Sequence, residues 1–197
     1  IWSWLVNIGL AFILIKFLVY PGIGWLLGTS FPIVAVVSES MQHTPDQGLL
    51  CGRQMNDFKY SFHQYWSVCG SWYEERGISK EQFLAFPLED GFNKGDVIIL
   101  MSARPGNLHV GDVVVYQGPK PQPIIHRLVK ITEQNGQIIY QTKGDHNSDS
   151  IHTESLNEEQ IRPEILVGKG IIRIPYLGWI KILFVEAVRP LGWVIER

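Results

Sequence analysis

The sequence predicts a membrane-anchored, mainly β protein, on three observations. Residues 1–37 form an apolar stretch with no acidic residue and one basic residue, Lys16. Two Gly-Asp dipeptides precede β-branched runs, Gly95-Asp96 before Val97-Ile98-Ile99-Leu100 and Gly111-Asp112 before Val113-Val114-Val115-Tyr116. Asn135-Gly136, a strong hairpin-turn dipeptide, separates the strand-like runs Ile124 to Thr132 and Gln137 to Thr142. At 197 residues the chain has room for one membrane segment and one soluble domain with a core.

The anchor reading rests on length. Trp4 to Leu27 as a helix would span roughly 36 Å at 1.5 Å per residue, and about 20 apolar residues suffice to cross a bilayer. A cleaved export signal would be shorter and would end in a small-residue processing site, whereas this segment runs through Lys16 into Pro21-Gly22. We therefore expect a retained anchor over residues 1–30 and a domain over 31–197. The competing reading is a buried helix of a soluble domain, broken at Pro21, Gly22, Gly24 and Gly28. Lys16 would snorkel from a tilted helix or sit at an interhelical face, because a charge at mid-bilayer is costly.

Composition excludes other classes. The chain is 46% hydrophobic and 18% charged with a net charge of -2, so it is neither disordered nor equipped with the basic field that captures nucleic acid. Gly22-Ile23-Gly24 lacks the rest of a phosphate-binding loop. Cys51 and Cys69 do not form a CxxC; they either close a disulfide in an oxidising compartment or remain two free thiols.

Past the anchor, Phe31 to Val37 reads as a strand leaving the membrane surface, with Ser40 in the turn that follows. Residues 50–93 crowd Phe58, Tyr60, Phe62, Tyr65, Trp66, Trp72 and Tyr73 into a polar background, and Ser79 to Leu84 reads as a serine-capped helical turn. We take 50–93 as an inserted sub-region packed over the core. In each Gly-Asp turn the glycine accepts an unusual dihedral and the aspartate caps local amides. Ile165 to Ile174 is a further strand, and Leu177 to Val188 a helix or membrane-surface element.

A serine hydroxyl needs a base to take its proton and a third group to orient that base. Ser40 is the candidate nucleophile. His126, in the apolar run Pro123-Ile124-Ile125-His126-Arg127-Leu128, is the candidate base, since imidazole chemistry suits proton transfer near neutrality. The acid should come from Lys143-Gly144-Asp145-His146-Asn147-Ser148-Asp149. Arg127 should pair with a nearby acid or project to headgroups. Lys143 is favoured as structural, and is a rival base if His126 points away. Asp145, His146, Asp149 and His152 could also form a metal site, but no zinc-ligand spacing recurs elsewhere and serine chemistry uses none, so we expect neither metal nor cofactor.

Ser38-Glu39-Ser40-Met41, Gly111 to Tyr116, Ile125-His126-Arg127 and Thr142 to Asn147 resemble, in this order, the boxes of type I signal peptidases. The resemblance implies a predominantly antiparallel β catalytic domain of bent sheets, carrying a membrane-anchored serine endopeptidase that removes signal peptides after small residues. It implies a single-pass protein of the cell membrane with its catalytic face outside the cytoplasm. The implied partners are preprotein signal peptides, the lipid bilayer, and the translocation machinery or accessory subunits. Histidine where the bacterial branch has lysine places the sequence with the archaeal and endoplasmic-reticulum type.

Carried over residue by residue, Ser40 is the nucleophile and His126 the general base. Ser38 and the Ser40 backbone N–H form the oxyanion site. Asp149 is the chosen His-orienting acid and Asp145 a supporting carboxylate, roles that are exchangeable. Substrate would add as an extended strand, with Ile33, Ala35 and Val37 or their neighbours lining its small pockets. Two departures stand out: Glu39 replaces the usual glycine between the serines, and Asp149 follows Asp145 more closely than in the family pattern. They motivate the alternative of a catalytically inactive, membrane-anchored binding or assembly module.

Overall fold

The computed structural model describes residues 2–180 and 183; most of the apolar Leu177 to Val188 element lies outside the described residues. The chain begins as a helical run, α1 (Trp2–Leu14), a π-helical turn (Ile15–Val19) and α2 (Tyr20–Leu27). Ser3–Leu27 is apolar and long enough to cross a membrane, with 6% of its most apolar window buried against the rest of the protein. Pro21 and the glycines do not break it. The wider turn sits just ahead of Pro21, where the Tyr20 N–H donates to Ile15 O; a local π turn absorbs the proline's missing donor. Gly28 ends the helix in the left-handed region (φ 66°), and the Thr29 N–H caps Gly24 O at 3.0 Å.

Eight strands follow among the described residues: β1 (Ile33–Ala35), β2 (Leu49–Leu50), β3 (Arg53–Gln54), β4 (Val97–Met101), β5 (Val113–Tyr116), β6 (Ile124–Gln134), β7 (Gln137–Lys143) and β8 (Leu166–Ile174). β2 and β3 form a hairpin of their own, and the other six make one sheet in the order β1-β4-β8-β5-β6-β7. Every pairing is antiparallel. The domain after the anchor is thus mainly antiparallel β, with bulges at Ile99/Leu100, Val115/Tyr116 and Leu128/Lys130 that bend the sheet.

The two Gly-Asp turns are built alike. Asp96 Oδ2 accepts from the Asn93 N–H at 2.8 Å, and Asp112 Oδ2 from the His109 N–H at 2.9 Å. Each carboxylate then meets a cation on β8: Arg173 Nε at 2.7 Å from Asp96, Lys169 Nζ at 3.3 Å from Asp112. These pairs help hold β8 between β4 and β5, a position its place in the chain does not suggest. At Gly111 (φ 102°) a Cβ would lie 2.2 Å from Phe86 Cδ1, so conformation and space both require glycine. At the β6–β7 hairpin Asn135 (φ 52°) and Gly136 (φ 75°) supply the two positive dihedrals of a type I′ turn.

β5 is buried on both faces, which explains its unbroken apolar run. Val113 and Val115 join Val36, Met41, Ile98 and Leu100 in one cluster; Val114 and Tyr116 join Leu128, Tyr140 and Ile161 in another. A third cluster lies under α3 (Phe62–Glu74) and α4 (Lys80–Leu84). Ser79 caps α4 in a full capping box with Gln82. The longer helix α3 was readable only as aromatic crowding, yet Phe62, Tyr65, Trp66, Cys69 and Tyr73 have helical spacing and turn one face inward.

Cys51 and Cys69 are joined in a disulfide that ties the β2–β3 hairpin to α3. Closing a loop with 18 residues of sequence separation restricts the unfolded chain by about 3 kcal/mol. Cys51→Ser with Cys69→Ser is expected to lower stability by about that amount, read as a fall in the denaturant midpoint at unchanged slope. An unchanged midpoint would mean that the cross-link constrains nothing.

Candidate functional site

The site forms where three segments converge: the turn after β1, the middle of β6, and the loop after β7. β6 places neighbouring side chains on opposite faces. His126 therefore points into a groove of about 760 Å³, and Arg127 points into the protein behind it. Ser38, Ser40 and His126 all line the groove, with Ile124, Ile151 and Leu156 among its apolar walls.

Ser40 Oγ lies 3.2 Å from Ser38 Oγ. Its backbone O accepts from the His146 N–H at 2.9 Å, which ties the serine turn to the loop after β7. Gly144 sits between serine and histidine: a Cβ there would fall 2.7 Å from Ser40 O and 2.8 Å from His126 Nε2. Nε2 therefore faces the Ser40 turn across a position with no room for a side chain. Glu39 turns aside to Lys94, Oε1 to Nζ 3.4 Å.

The other ring nitrogen, His126 Nδ1, hydrogen-bonds Glu158 Oε1. Sequence reasoning did not select Glu158, and chose Asp149 or Asp145 for this position. Tyr116 OH donates to the same oxygen, as does Thr142 Oγ1 at 3.2 Å, while the Ile151 N–H donates to Oε2 at 2.6 Å. Burial pushes the Glu158 carboxyl up, but the hydrogen bond and charge of His126 and the donors from Tyr116 and Ile151 outweigh it, so its pKa lies below the ordinary value. The backbone fixes the residue too, since the Thr142 N–H donates to Glu158 O at 2.9 Å and the Glu158 N–H to Ile151 O at 2.9 Å. The available signal was an acid among polar loop residues, Leu156-Asn157-Glu158-Glu159, with no motif to distinguish it from its neighbours.

Asp149 lies elsewhere, exposed and accepting from Trp72 Nε1 of α3 at 2.8 Å. Asp145 is fully buried and faces away from the groove. Arg127 Nε and one terminal nitrogen hold it at 2.9 and 2.7 Å; His43 Nε2 lies at 3.0 Å and Tyr73 OH at 2.9 Å. Burial alone would raise the Asp145 pKa; the Arg127 charge and the hydrogen bonds from His43 and Arg127 reverse this and hold it well below the carboxylate range. Residues 50–93 grip the same loop at the backbone, with Tyr65 OH donating to Asp145 O at 3.0 Å and Cys51 Sγ 3.3 Å from it. Residues 50–93 thus brace the loop that carries Gly144.

Lys143 is buried, donates to Gly144 O at 3.0 Å, and lies over the Trp72 and Tyr73 rings at 5.0 and 4.9 Å. Burial pulls its pKa down to about 8. It lines a small pocket beside the disulfide and not the groove that holds Ser40, which adjoins that pocket at Asn147. Asp145, His146, Asp149 and His152 do not converge, and no group of three or more His, Cys, Asp or Glu could hold a metal among the described residues. Of the expected substrate-lining residues, Val37 lines the groove, whereas Ile33 and Ala35 pair with Ile99 and Val97 of β4 further back.

A nucleophile-sized hydroxyl, an imidazole held by a carboxylate, and an apolar groove beside them can carry out acyl transfer on an extended peptide. The chain resembles signal peptidase catalytic subunits. It is 30% identical over 103 residues to the signal peptidase complex catalytic subunit SEC11C of Homo sapiens, covering 51% of this chain and 54% of that protein. The SEC11 subunit of Candida tropicalis is 32% identical over 108 residues (53% and 64%), and that of Eremothecium gossypii 35% over 107 (52% and 64%). The chain therefore spans about half to two thirds of the length of these relatives. No family model matches it.

The Arg127–Asp145 pair is a structural lock by this geometry, and Asp145→Asn is expected to destabilise the protein by about 3–5 kcal/mol at neutral pH, because a buried guanidinium loses its counter-charge. The depressed folded pKa means that Asp145 contributes stability above its unfolded value near pH 4, which is lost as pH falls towards the folded value. Acid titration of the unfolding midpoint checks this: the variant should show a flatter decline below about pH 4. Parallel declines would remove Asp145 from the acid response.

Proposed function

We propose that the protein is a membrane-anchored signal peptidase of the Ser-His type, cleaving signal peptides from exported preproteins after small residues. The observation that carries this reading is the shared groove: Ser40 and His126 line it together, and a buried carboxylate holds the far nitrogen of the imidazole. The similarity to signal peptidase complex catalytic subunits and the single apolar helix support it.

In this mechanism the preprotein lies in the groove as an extended strand, small side chains toward the apolar wall. Ser40 Oγ attacks the scissile carbonyl carbon as His126 Nε2 takes its proton. Glu158 keeps the Nδ1–H tautomer and stabilises the imidazolium that forms. The Ser38 hydroxyl and the Ser40 N–H receive the developing oxyanion, where donors contribute most. Collapse expels the new amine, protonated by His126, and leaves an ester on Ser40. Water, deprotonated by His126, then releases the signal peptide and regenerates Ser40.

The Cys51–Cys69 disulfide supports placing the domain in an oxidising compartment outside the cytoplasm. Signal peptides and the translocation machinery or accessory subunits follow as partners. Asp145 and Asp149 in this reading act on structure, and the orienting acid is Glu158.

Cleavage of a synthetic preprotein segment ending in Ala-x-Ala, by the protein in lipid-supplemented detergent, tests the proposal. Ser40→Ala should abolish cleavage after the last alanine. Glu158→Gln should lower kcat by roughly 10²–10⁴ with KM little changed, while Asp149→Ala should cleave at close to the wild-type rate. Undiminished cleavage by Ser40→Ala would end the peptidase reading; a wild-type rate in Glu158→Gln would return the search for the orienting acid to Asp149.

A further inference from the structure

A second cleft, of about 320 Å³, lies where the membrane helix meets the domain, between Gly28 to Phe31 and Ser102 to Arg104. Backbone contacts fix its shape. The Ser102 N–H donates to Leu27 O at 2.8 Å, Thr29 Oγ1 to Val167 O at 3.0 Å, and the Leu100 N–H to Pro32 O at 2.9 Å.

Its height along the anchor follows from the neighbouring aromatic residues. The apolar span ends at Leu27, and Trp25 and Phe31 on either side of that end are 86% and 56% exposed. Exposed aromatic side chains at the end of a span mark the boundary between hydrocarbon and headgroups. The cleft therefore opens at headgroup level.

Its chemistry is one-sided. Arg104 supplies a cation and Ser30 and Ser102 supply hydroxyls, while no carboxylate lines it. Among the described residues, no acidic group pairs with Arg104 and neither hydroxyl has a hydrogen-bond partner. At the helix C-terminus, whose dipole disfavours an anion, three of the last four carbonyls accept hydrogen bonds, Leu27 O from Ser102, Trp25 O from Gly28 and Gly24 O from Thr29, so the guanidinium must outweigh what remains of that field. An exposed arginine and two serines in one lining offer the groups that match phosphate oxygens, and no carboxylate in that lining would balance the ammonium of a zwitterionic headgroup.

We propose that this cleft binds the phosphate of an anionic glycerophospholipid in the leaflet from which the domain rises. The lipid would pin the helix–sheet junction to the membrane surface and so set the height of the catalytic groove above it. The inference rests on the anchor and the cleft, and stands whether or not the groove is a peptidase site.

Native mass spectrometry of the full chain, released from nanodiscs of equal phosphatidylglycerol and phosphatidylcholine, tests it. The wild type should retain phosphatidylglycerol in preference, Arg104→Gln should retain at least fivefold less, and Arg104→Lys should keep most of it. Ser30→Glu, an exposed change that introduces repulsion without removing a packed group, should also lose the lipid and guards against misfolding of the Arg104 variant. Equal retention of the two lipids by the wild type, or of phosphatidylglycerol by wild type and both Arg104→Gln and Ser30→Glu, would overturn the proposal. Inorganic phosphate that raises the melting temperature in detergent through Arg104 as much as short-chain phosphatidylglycerol does would overturn it too, by making this a free-phosphate site.

Discussion

The buried Arg127 guanidinium is the interaction on which the rest of the domain depends. All five of its N–H donors are used: Nε and one terminal N–H on Asp145, and the others on the carbonyls of Pro87, Leu88 and Gly111. One side chain thus joins the segment just after α4, the turn before β5, and the loop after β7. Such a charge is tolerated only when fully paired, so these segments are fixed relative to one another or the core fails. The groove inherits that precision, because His126, which lines it, immediately precedes Arg127 on the same strand. A slip of one residue in β6 would exchange the two faces, sending imidazole into the lock and guanidinium into the groove.

Two of the buried carboxylates, Asp145 and Glu158, differ in role because they differ in environment. Asp145 is surrounded by a permanent cation, an imidazole and a phenol, and its charge is consumed in holding structure. Glu158 faces the His126 imidazole, with neutral donors from Tyr116, Thr142 and Ile151 around it. A carboxylate held ionised by neutral donors can stabilise an imidazolium when it forms; one already neutralised by a guanidinium has far less to offer. The aromatic residues of α3 extend the bracing outward, for Tyr65 stacks on His43 at 3.7 Å between ring centroids while its hydroxyl holds the backbone of Asp145.

The anchor and the sheet are joined with little freedom between them. Leu27, Thr29 and Pro32 each bond directly to the sheet region, and β1 follows at once to deliver Ser38 and Ser40. Orientation of the helix therefore sets the position of the groove relative to the membrane surface. The exposed Ile33, Ile172, Ile174 and Tyr176 on β1, on β8 and just past it lie on strands of the same part of the sheet.

Local rules made much of this molecule legible in its sequence. The apolar helix, both Gly-Asp turns, the Asn135-Gly136 hairpin and the capped turn at Ser79 follow from dihedral preference, capping and hydrophobic length, which act within a few residues. Ser40 and His126 were singled out by the order of boxes that resembles type I signal peptidases, and both line one groove. Tertiary structure alone decided the insertion of β8 between β4 and β5, the pairing of Cys51 with Cys69, the burial of Asp145 on Arg127, and the placement of Glu158 on a histidine 32 residues before it. The physical reason is common to all four. Each depends on where a loop returns in space, and a carboxylate in a polar loop carries the same local signal whether it ends against solvent, a guanidinium or an imidazole.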